Sequence, residues 1–168
     1  MTTMRTTPAR RTTRGALVAL LTGAGLVLTP LAAQAAAPDT AAVAAAPAAA
    51  STAKAQIAVD TALAQLGDPY VWAGAGPNSF DCSGLTQYAY KAAGISLPHS
   101  SKSQSTMGTH VAKADLNPGD LVFFYSPVSH VGMYIGNGQI VHAPTSGSVV
   151  KIVKLDAMSG YNTARRLA

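Results

Sequence analysis

The sequence predicts an α+β domain in which two N-terminal helices pack on a small antiparallel sheet. Two segments with a helical period of apolar residues occupy residues 53–66 and 82–93. Short apolar segments bounded by turn residues follow between residues 121 and 167. Helices that precede a run of hairpin-connected strands are typical of the α+β class.

The first helix, residues 53–66, is predicted to end at Gly67, a residue type that commonly follows a helix. Its buried face is predicted to consist of Val59, Ala62, Leu63 and Leu66. The second helix, residues 82–93, has either Ser79 or Asp81 available to cap its first turn. Its buried face is predicted to consist of Leu85, Tyr88, Ala89 and Ala92.

A polar stretch, residues 99–110, separates the helices from the strands and is interpreted as a loop. A turn at residues 117–120 (NPGD) then begins the sheet. The predicted strands are residues 121–125, 130–135, 139–143, 149–153 and 162–167.

The segment before residue 53 is predicted to lie outside the folded domain, 53–168. Four arginines within the first fourteen residues precede an uncharged apolar run, and a small-x-small tripeptide (AQA) ends at residue 35. This pattern predicts a secretory signal peptide over residues 1–35, and an uncleaved membrane anchor is the alternative. Residues 36–52, rich in Ala and Pro, are interpreted as a disordered or weakly helical linker.

Composition excludes several classes of protein. The net charge is +5, from 12 Lys and Arg against 7 acids, and +3 of it belongs to residues 1–50. The remaining domain is too weakly basic to indicate a nucleic-acid partner. A single cysteine excludes an intramolecular disulfide framework and a Cys-rich zinc module.

Cys82 is the first candidate for chemistry. It stands at the predicted start of the second helix, where unpaired N–H groups favour an anion and are expected to lower the pKa of the thiol. Its neighbours Asp81, Ser83 and Gly84 are small or polar, which is unusual for a core position. The alternative is a small buried hydrophobic residue without a reactive role.

His130 and His142 lie on adjacent predicted strands, and the register between those strands decides whether they meet. A two-residue turn at 137–138 would pair Gly136 with Gln139 and Met133 with His142, and the two histidines would then point to opposite faces. A three-residue loop with a bulge pairs Ile135 with Gln139, and then Gly132 faces His142 with His130 on the same face. Alternation of polar and apolar residues along 130–135 favours the second register.

These three residues match the roles of a nucleophile, a general base and an orienting group. Zinc is the rival use of one Cys and two His, but the sequence offers no fourth ligand and no short-spaced ligand pair. His99 and His110, in the polar stretch, are interpreted as solvated loop residues.

Several segments together resemble the NlpC/P60 cysteine peptidases. The strongest are FDCSGL (80–85), HVGMYIG (130–136) and IVHA (140–143). Further matches are PYVW (69–72), LPHSS (97–101) with Gln104, and PGDLVFF (118–124). They occur in the expected order over nearly all of residues 53–168.

The resemblance implies a papain-like α+β fold and a secreted or wall-associated monomer that cleaves peptidoglycan stem peptides, commonly at the D-γ-glutamyl–diamino acid bond. The mechanism that the resemblance implies requires no metal or organic cofactor. The implied residues are Cys82 as nucleophile, His130 as base, His142 as orienting group, Tyr70 for the oxyanion or substrate, and Asp81 and Ser83 in the substrate pocket. Trp72 is assigned to packing, Gln104 only weakly to the cleft, and His99 lies outside the catalytic set.

Two other functions stay open from the sequence. A papain-like amidase or acyltransferase acting on wall material would use the same three residues, because the triad serves any acyl transfer. A non-catalytic wall-binding protein would be marked by the loss of one triad member, and none is lost here.

Overall fold

The structure, a computed structural model, describes residues 47–168, with side chains from Thr52 onward. The predicted signal peptide, residues 1–35, and the first part of the predicted linker lie outside the described residues. Within 47–168, no helix is long and apolar enough to cross a bilayer.

The first helix, α1, spans Pro47–Leu63 and so begins inside the predicted linker and ends earlier than expected. Proline is favourable at a first helical position and alanine is the best helix former, which explains the earlier start. Gly67 follows with a φ of 93°. Leu66 lies in the turn beyond the helix and is exposed, so its predicted place on the buried face is wrong.

The second helix, α2, spans Cys82–Ala92, close to the predicted bounds. Its buried face is rotated from the predicted one, since Ala92 is exposed and Tyr88 is only partly buried. The residues buried along and just after α2 are Ser83, Gly84, Leu85, Thr86, Ala89, Tyr90 and Ala93. The Tyr90 hydroxyl donates a 2.6 Å hydrogen bond to the carbonyl of Gly119, which gives this polar atom a partner inside the protein.

A six-stranded antiparallel sheet follows, in the order β1-β6-β2-β3-β4-β5. The strands are Thr109–Val111 (β1), Leu121–Phe124 (β2), His130–Gly136 (β3), Gln139–His142 (β4), Lys151–Lys154 (β5) and Tyr161–Arg166 (β6). The α+β prediction is confirmed. The interpretation of residues 99–110 as a loop is wrong in part, because a short helix, α3, spans Ser101–Gln104 and β1 begins at Thr109.

The two faces of the sheet bury different cores. One face packs on α1 and α2 through residues that include Phe123, Val131, Met133 and Val141. The opposite face carries a smaller cluster of Val111, Val122, Phe124, Ile140, Leu155 and Ala164. Because side chains alternate along a strand, His130 belongs to the face with the smaller cluster, at the end of β3.

The β3–β4 hairpin combines features of both registers considered from the sequence. Met133 pairs with Val141 and Tyr134 with Ile140, as in the bulged register, but Gly136 rather than Ile135 pairs with Gln139. The turn is the two-residue Asn137-Gly138 turn, with positive φ at both residues, and the bulge lies at Ile135. The predicted three-residue loop and the predicted position of its bulge are therefore wrong, whereas the predicted pairing along the rest of the hairpin is confirmed.

Candidate active site

Cys82 is the first residue of α2, and the start of this helix is fixed by a side-chain cap and by contact with the backbone of a preceding loop. Asp81 caps the helix, because its Oδ1 accepts from the backbone N–H of Gly84 at 2.7 Å and from the hydroxyl of Ser83 at 3.1 Å. The carbonyl of Gly74 accepts a 2.8 Å hydrogen bond from the N–H of Asp81 and lies so close to Gly84 that a Cβ there would overlap it. The absence of a side chain at Gly84 therefore allows the loop that contains Gly74 to pack against the start of α2.

The half-buried thiol of Cys82 lies against the backbone at Val131, the residue after His130. Burial raises its pKa most, hydrogen bonding from the Val131 backbone lowers it, the charge of Asp81 raises it, and the backbone of Ser83 and of Cys82 itself lowers it. The net direction is upward from the ordinary thiol value. The predicted lowering of the pKa is wrong, because desolvation and the capping carboxylate outweigh the helix terminus.

His130 and His142 meet edge-on, with ring centroids 5.1 Å apart at an interplanar angle of 79°. Nε2 of His130 lies 2.9 Å from Nδ1 of His142, which leaves Nδ1 of His130 and Nε2 of His142 for other partners. Gly132 lies beside them, and a Cβ at this position would come within 3.4 Å of the Cβ of His142. The sequence prediction that these two histidines share a face is confirmed.

Both imidazoles are buried and neutral at physiological pH. Burial lowers the pKa of His130 to about 4. Burial also lowers the pKa of His142 to about 4, and the nearby His130 and Lys151 act in the same direction. A neutral imidazole can accept a proton, so the pair is in the protonation state that a general base requires.

The thiol and His130 line one cleft of about 460 Å³. The predicted substrate residues Tyr70, Asp81 and Ser83 line it as well. Burial raises the pKa of the Tyr70 hydroxyl, and the charges of Cys82 and Asp81 raise it further, which keeps the phenol protonated and able to donate.

Trp72 also lines this cleft and is 82% exposed. Its assignment to packing is therefore wrong. An indole on a cleft rim offers a large apolar face to a bound molecule, and exposed aromatic residues of this kind are more typical of binding surfaces than of cores.

The 97–104 segment contributes more than the sequence indicated. His99 lies in an exposed loop, as predicted, but it also lines the cleft, and its Nε2 lies 2.8 Å from Oδ2 of Asp81. Gln104 is fully buried and bridges α2 to this segment, donating to the carbonyls of Ser83 at 3.0 Å and Pro98 at 2.8 Å. His110, in contrast, is exposed on β1, away from the cleft. Only the match at 97–101 signalled that His99 belongs near Cys82.

Larger cavities lie elsewhere in the described part of the chain. One of about 750 Å³ lies between α1 and the segments around Thr109 and Arg166, and its lining contains neither a cysteine nor a histidine. Residues 47–168 contain no group of three or more His, Cys, Asp or Glu arranged to hold a metal ion. Chemistry therefore points to the smaller cleft at Cys82.

Comparison with known proteins places this constellation in context. Residues 67–166 match the model of the NlpC/P60 family. A probable endopeptidase of Mycobacterium bovis is 50% identical over 101 residues, a match that covers 60% of this chain and 26% of that protein. The chain thus corresponds to about a quarter of the length of that relative.

Solved structures give the same fold. NlpC2 from Trichomonas vaginalis superposes with a TM-score of 0.65 at 36% identity, covering 67% of this chain and 46% of that one. The peptidoglycan hydrolase RipB from Mycobacterium tuberculosis superposes with a TM-score of 0.64 at 31% identity, covering 71% of this chain and 67% of that one.

Proposed function

Because the chain belongs to the NlpC/P60 family, we propose that it is a cysteine endopeptidase that hydrolyses the stem peptides of peptidoglycan. The observation that carries the proposal is the cleft that both Cys82, at the start of α2, and His130 line, with His130 itself 2.9 Å from His142. The similarity to a probable endopeptidase and to a peptidoglycan hydrolase supports the reaction and the polymer.

The first step begins from a neutral thiol and a neutral imidazole. As Sγ of Cys82 attacks the carbonyl carbon of the substrate amide, its proton passes to Nδ1 of His130. His130 then donates that proton to the leaving nitrogen, and an acyl-enzyme thioester remains. A water molecule, deprotonated by His130, adds to the thioester and releases the carboxylate product together with the thiol.

His142 fixes the tautomer of its neighbour. If Nδ1 of His130 is to accept a proton, its Nε2 must carry one and donate it to Nδ1 of His142 across the 2.9 Å contact. His142 then carries its own proton on Nε2. Since both pKa values lie near 4, His142 orients His130 as a neutral partner.

The oxyanion that forms on the substrate carbonyl needs donors. Backbone N–H groups at the start of α2 and the protonated hydroxyl of Tyr70 are the candidates in the cleft. Asp81 and Ser83 are assigned to the substrate pocket, where Asp81 also serves as the helix cap. Trp72 is assigned to the rim, where it would pack on the bound peptide.

The scissile bond and the location of the enzyme are proposed from the sequence. The scissile bond is the one between D-γ-glutamate and the diamino acid, as the family resemblance implies. The signal-peptide pattern over residues 1–35 supports export, and the enzyme acts outside the cell or at the wall as a monomer without a cofactor.

The test is the full chain with Cys82→Ala, assayed on purified peptidoglycan of known composition with mass spectrometry of the soluble products. We expect release of stem-peptide fragments to fall at least about 10³-fold, because the nucleophile is lost. Circular dichroism and the melting temperature control for folding, and His110→Ala, a substitution on an exposed strand, controls for unspecific losses. Unchanged digestion by the alanine variant would sink the cysteine mechanism.

The mass spectra of the products also distinguish this proposal from the two alternative functions that the sequence left open. An endopeptidase releases fragments cut within the stem peptide. An amidase would release intact stem peptides from the glycan, and an acyltransferase would join the acyl group to an added amine instead of water. If the protein only binds the wall, neither the native chain nor the alanine variant would release fragments from the peptidoglycan.

A further inference from the structure

A second cavity lies on the far side of the imidazole pair. It measures about 460 Å³ and shares Ser129, His130 and Pro144 with the cleft that contains Cys82. The rest of its lining is Tyr125, His142, Thr145, Lys151, Val153 and Met158. The mechanism proposed above uses the cleft and leaves this cavity without a role.

One polar atom at this cavity lacks a partner. His142 is 97% buried, and its Nε2 is the one buried side-chain nitrogen or oxygen among the described residues that has no hydrogen bond. Leaving such an atom unpaired costs about 1–3 kcal/mol in general, so a buried orphan calls for a partner that occupies the adjacent space. Nδ1 of the same ring already faces His130, so Nε2 points away from the cleft.

The protonation of that nitrogen follows from the proposed function, on which this step rests. With His130 as the base, the proton of His142 resides on Nε2, and the atom is an unpaired N–H donor. A donor needs an acceptor.

The charge of the cavity selects the kind of acceptor. Lys151 lies directly opposite His142 in the β4–β5 pairing, so the two side chains share a face, and the lysine charge reaches His142 strongly enough to lower its pKa. Among the described residues that line the cavity there is no acid. A cationic cavity with an N–H donor and hydroxyls fits an anion.

The backbone conformation of Tyr125, which lines this cavity, is unusual and is held in place by specific hydrogen bonds. Its φ is 71°, a left-handed conformation that is costly for an aromatic residue, and its backbone is held by hydrogen bonds to Gly160 and Asn162. Gly160 leaves room for its ring, because a Cβ there would come within 2.7 Å of Cδ1 of Tyr125. The strained residue lines the second cavity.

We propose that this second cavity is a carboxylate-binding site, in which Lys151 neutralises the charge and the Nε2–H of His142 donates to the carboxylate directly or through one ordered water. The bound anion supplies the missing acceptor and holds His142 in the tautomer that keeps Nδ1 free to accept from His130. Lys151 and His142 are thus binding residues for a group on the opposite side of His130 from the nucleophile.

The carboxylate has two possible sources. Because the cavity and the cleft share a wall, an extended stem peptide bound across Cys82 can place one of its own carboxylates there. A free small carboxylate in solution offers the same chemistry. The experiments below separate the two.

The first arm measures binding without catalysis. The full chain labelled with ¹⁵N-histidine is titrated with sodium acetate at pH 7.5 and constant ionic strength, with neutral acetamide as the control ligand. We expect a proton on Nε2 of His142 and a saturable shift of that nitrogen with acetate alone. Lys151→Gln should weaken this binding about tenfold through loss of the charge.

Lys154→Gln is the matched control variant. It removes the same charge from the same strand, but Lys154 is three positions from Lys151, faces the other side of the sheet and does not line the cavity. Its acetate affinity should stay within about twofold of the unmodified chain.

The second arm compares two synthetic stem peptides that differ only beyond the scissile bond, one with a free carboxylate and one with the carboxamide. If the substrate supplies the anion, KM for the acid form is lower by about tenfold, and Lys151→Gln abolishes that preference while Lys154→Gln keeps it. If free anions supply it, the two peptides react alike and acetate changes their turnover in the unmodified chain but not in Lys151→Gln.

A flat acetate titration together with no preference between the peptides would overturn the proposal and leave water as the occupant. A proton found on Nδ1 rather than Nε2 of His142 would overturn it as well. Failure of the proposed function shows elsewhere, since activity retained by Cys82→Ala sinks the cysteine mechanism and leaves the acetate titration to report on the cavity alone.

Discussion

Two cavities of equal volume, about 460 Å³ each, meet at His130 and differ in the charges that line them. The cleft on the Cys82 side contains charges of both signs, the carboxylate of Asp81, bonded to His99, and the ammonium of Lys102. The cavity on the His142 side contains Lys151 and no acid among the described residues. Size does not distinguish them, and the two proposed roles, bond cleavage in one and anion binding in the other, rest on the chemistry of the linings.

The same contrast explains the thiol. The acidic neighbour on the cleft side contributes to raising the pKa of Cys82, and the basic neighbour on the far side contributes to lowering the pKa of His142. Both effects favour the neutral form of each group. We therefore expect a resting site with a neutral thiol and a neutral imidazole rather than a thiolate–imidazolium pair, and in the proposed mechanism the proton moves only when substrate is attacked.

The largest effect that distinguishes the two cavities is expected from removal of His142, the ring that accepts from His130 and lines only the second cavity. His142→Ala deletes the acceptor for Nε2 of His130, so kcat should fall by about 10²–10³-fold through loss of the correct tautomer. His142→Asn retains an oxygen that can accept the same hydrogen bond, and its loss should be only about tenfold. Steady-state kinetics on a synthetic stem peptide give both values.

The control for this pair is His110→Ala, which removes an exposed imidazole from β1 and should leave kcat within about twofold. Equal losses in the alanine and asparagine variants, with unchanged melting temperatures, would contradict the orienting role of His142.

Stability should depend on pH through the same two rings. Their native pKa values near 4 lie below the ordinary value of 6.5, so the unfolded chain binds more protons between these limits. The contribution is therefore fully present above pH 6.5 and is lost as pH falls toward 4, by on the order of 3 kcal/mol for one such imidazole.

Urea unfolding at intervals between pH 4 and 7 measures this dependence. His142→Asn removes one of the two groups and should reduce the slope of the free energy of unfolding against pH. A slope unchanged by that substitution would show that other groups carry the dependence.

The smallest effect concerns the rim of the cleft. Trp72→Ala should raise KM about three- to tenfold with kcat nearly unchanged, because the indole contacts bound peptide and takes no part in bond breaking. Stability should change by less than about 0.5 kcal/mol, since the side chain is largely exposed. Val71→Ala is the matched control, an exposed apolar neighbour outside the cleft lining. Equal KM for both variants would contradict a rim role for Trp72.

Local patterns in the sequence predicted the elements that depend on local physics. The start of α2 at Cys82 follows from the capping carboxylate of Asp81, and the facing of His130 and His142 follows from strand alternation. The position of the bulge was missed, because Asn137-Gly138 forms a two-residue turn on its own strong preference and the extra residue is absorbed at Ile135.

Other features depend on segments distant in sequence. His99 reaches Asp81 over 18 positions, and Gln104 reaches Ser83 over 21, so no local pattern reports either contact. Trp72 is an aromatic residue that composition favours as core, and only its place on the cleft rim exposes it.

The sequence by itself determined the α+β class, the family resemblance, the place of Cys82 at the start of α2 and the shared face of His130 and His142. The order of the motifs, the alternation of side chains along a strand and the capping of a helix all depend on residues close together in the sequence. Only the tertiary structure decided the pKa of Cys82, since burial and the charge of Asp81 raise it more than the backbone hydrogen bonds, that from Val131 included, lower it. It alone revealed the cavity behind His142 and the lysine opposite it, because a cavity exists only where separate strands enclose space.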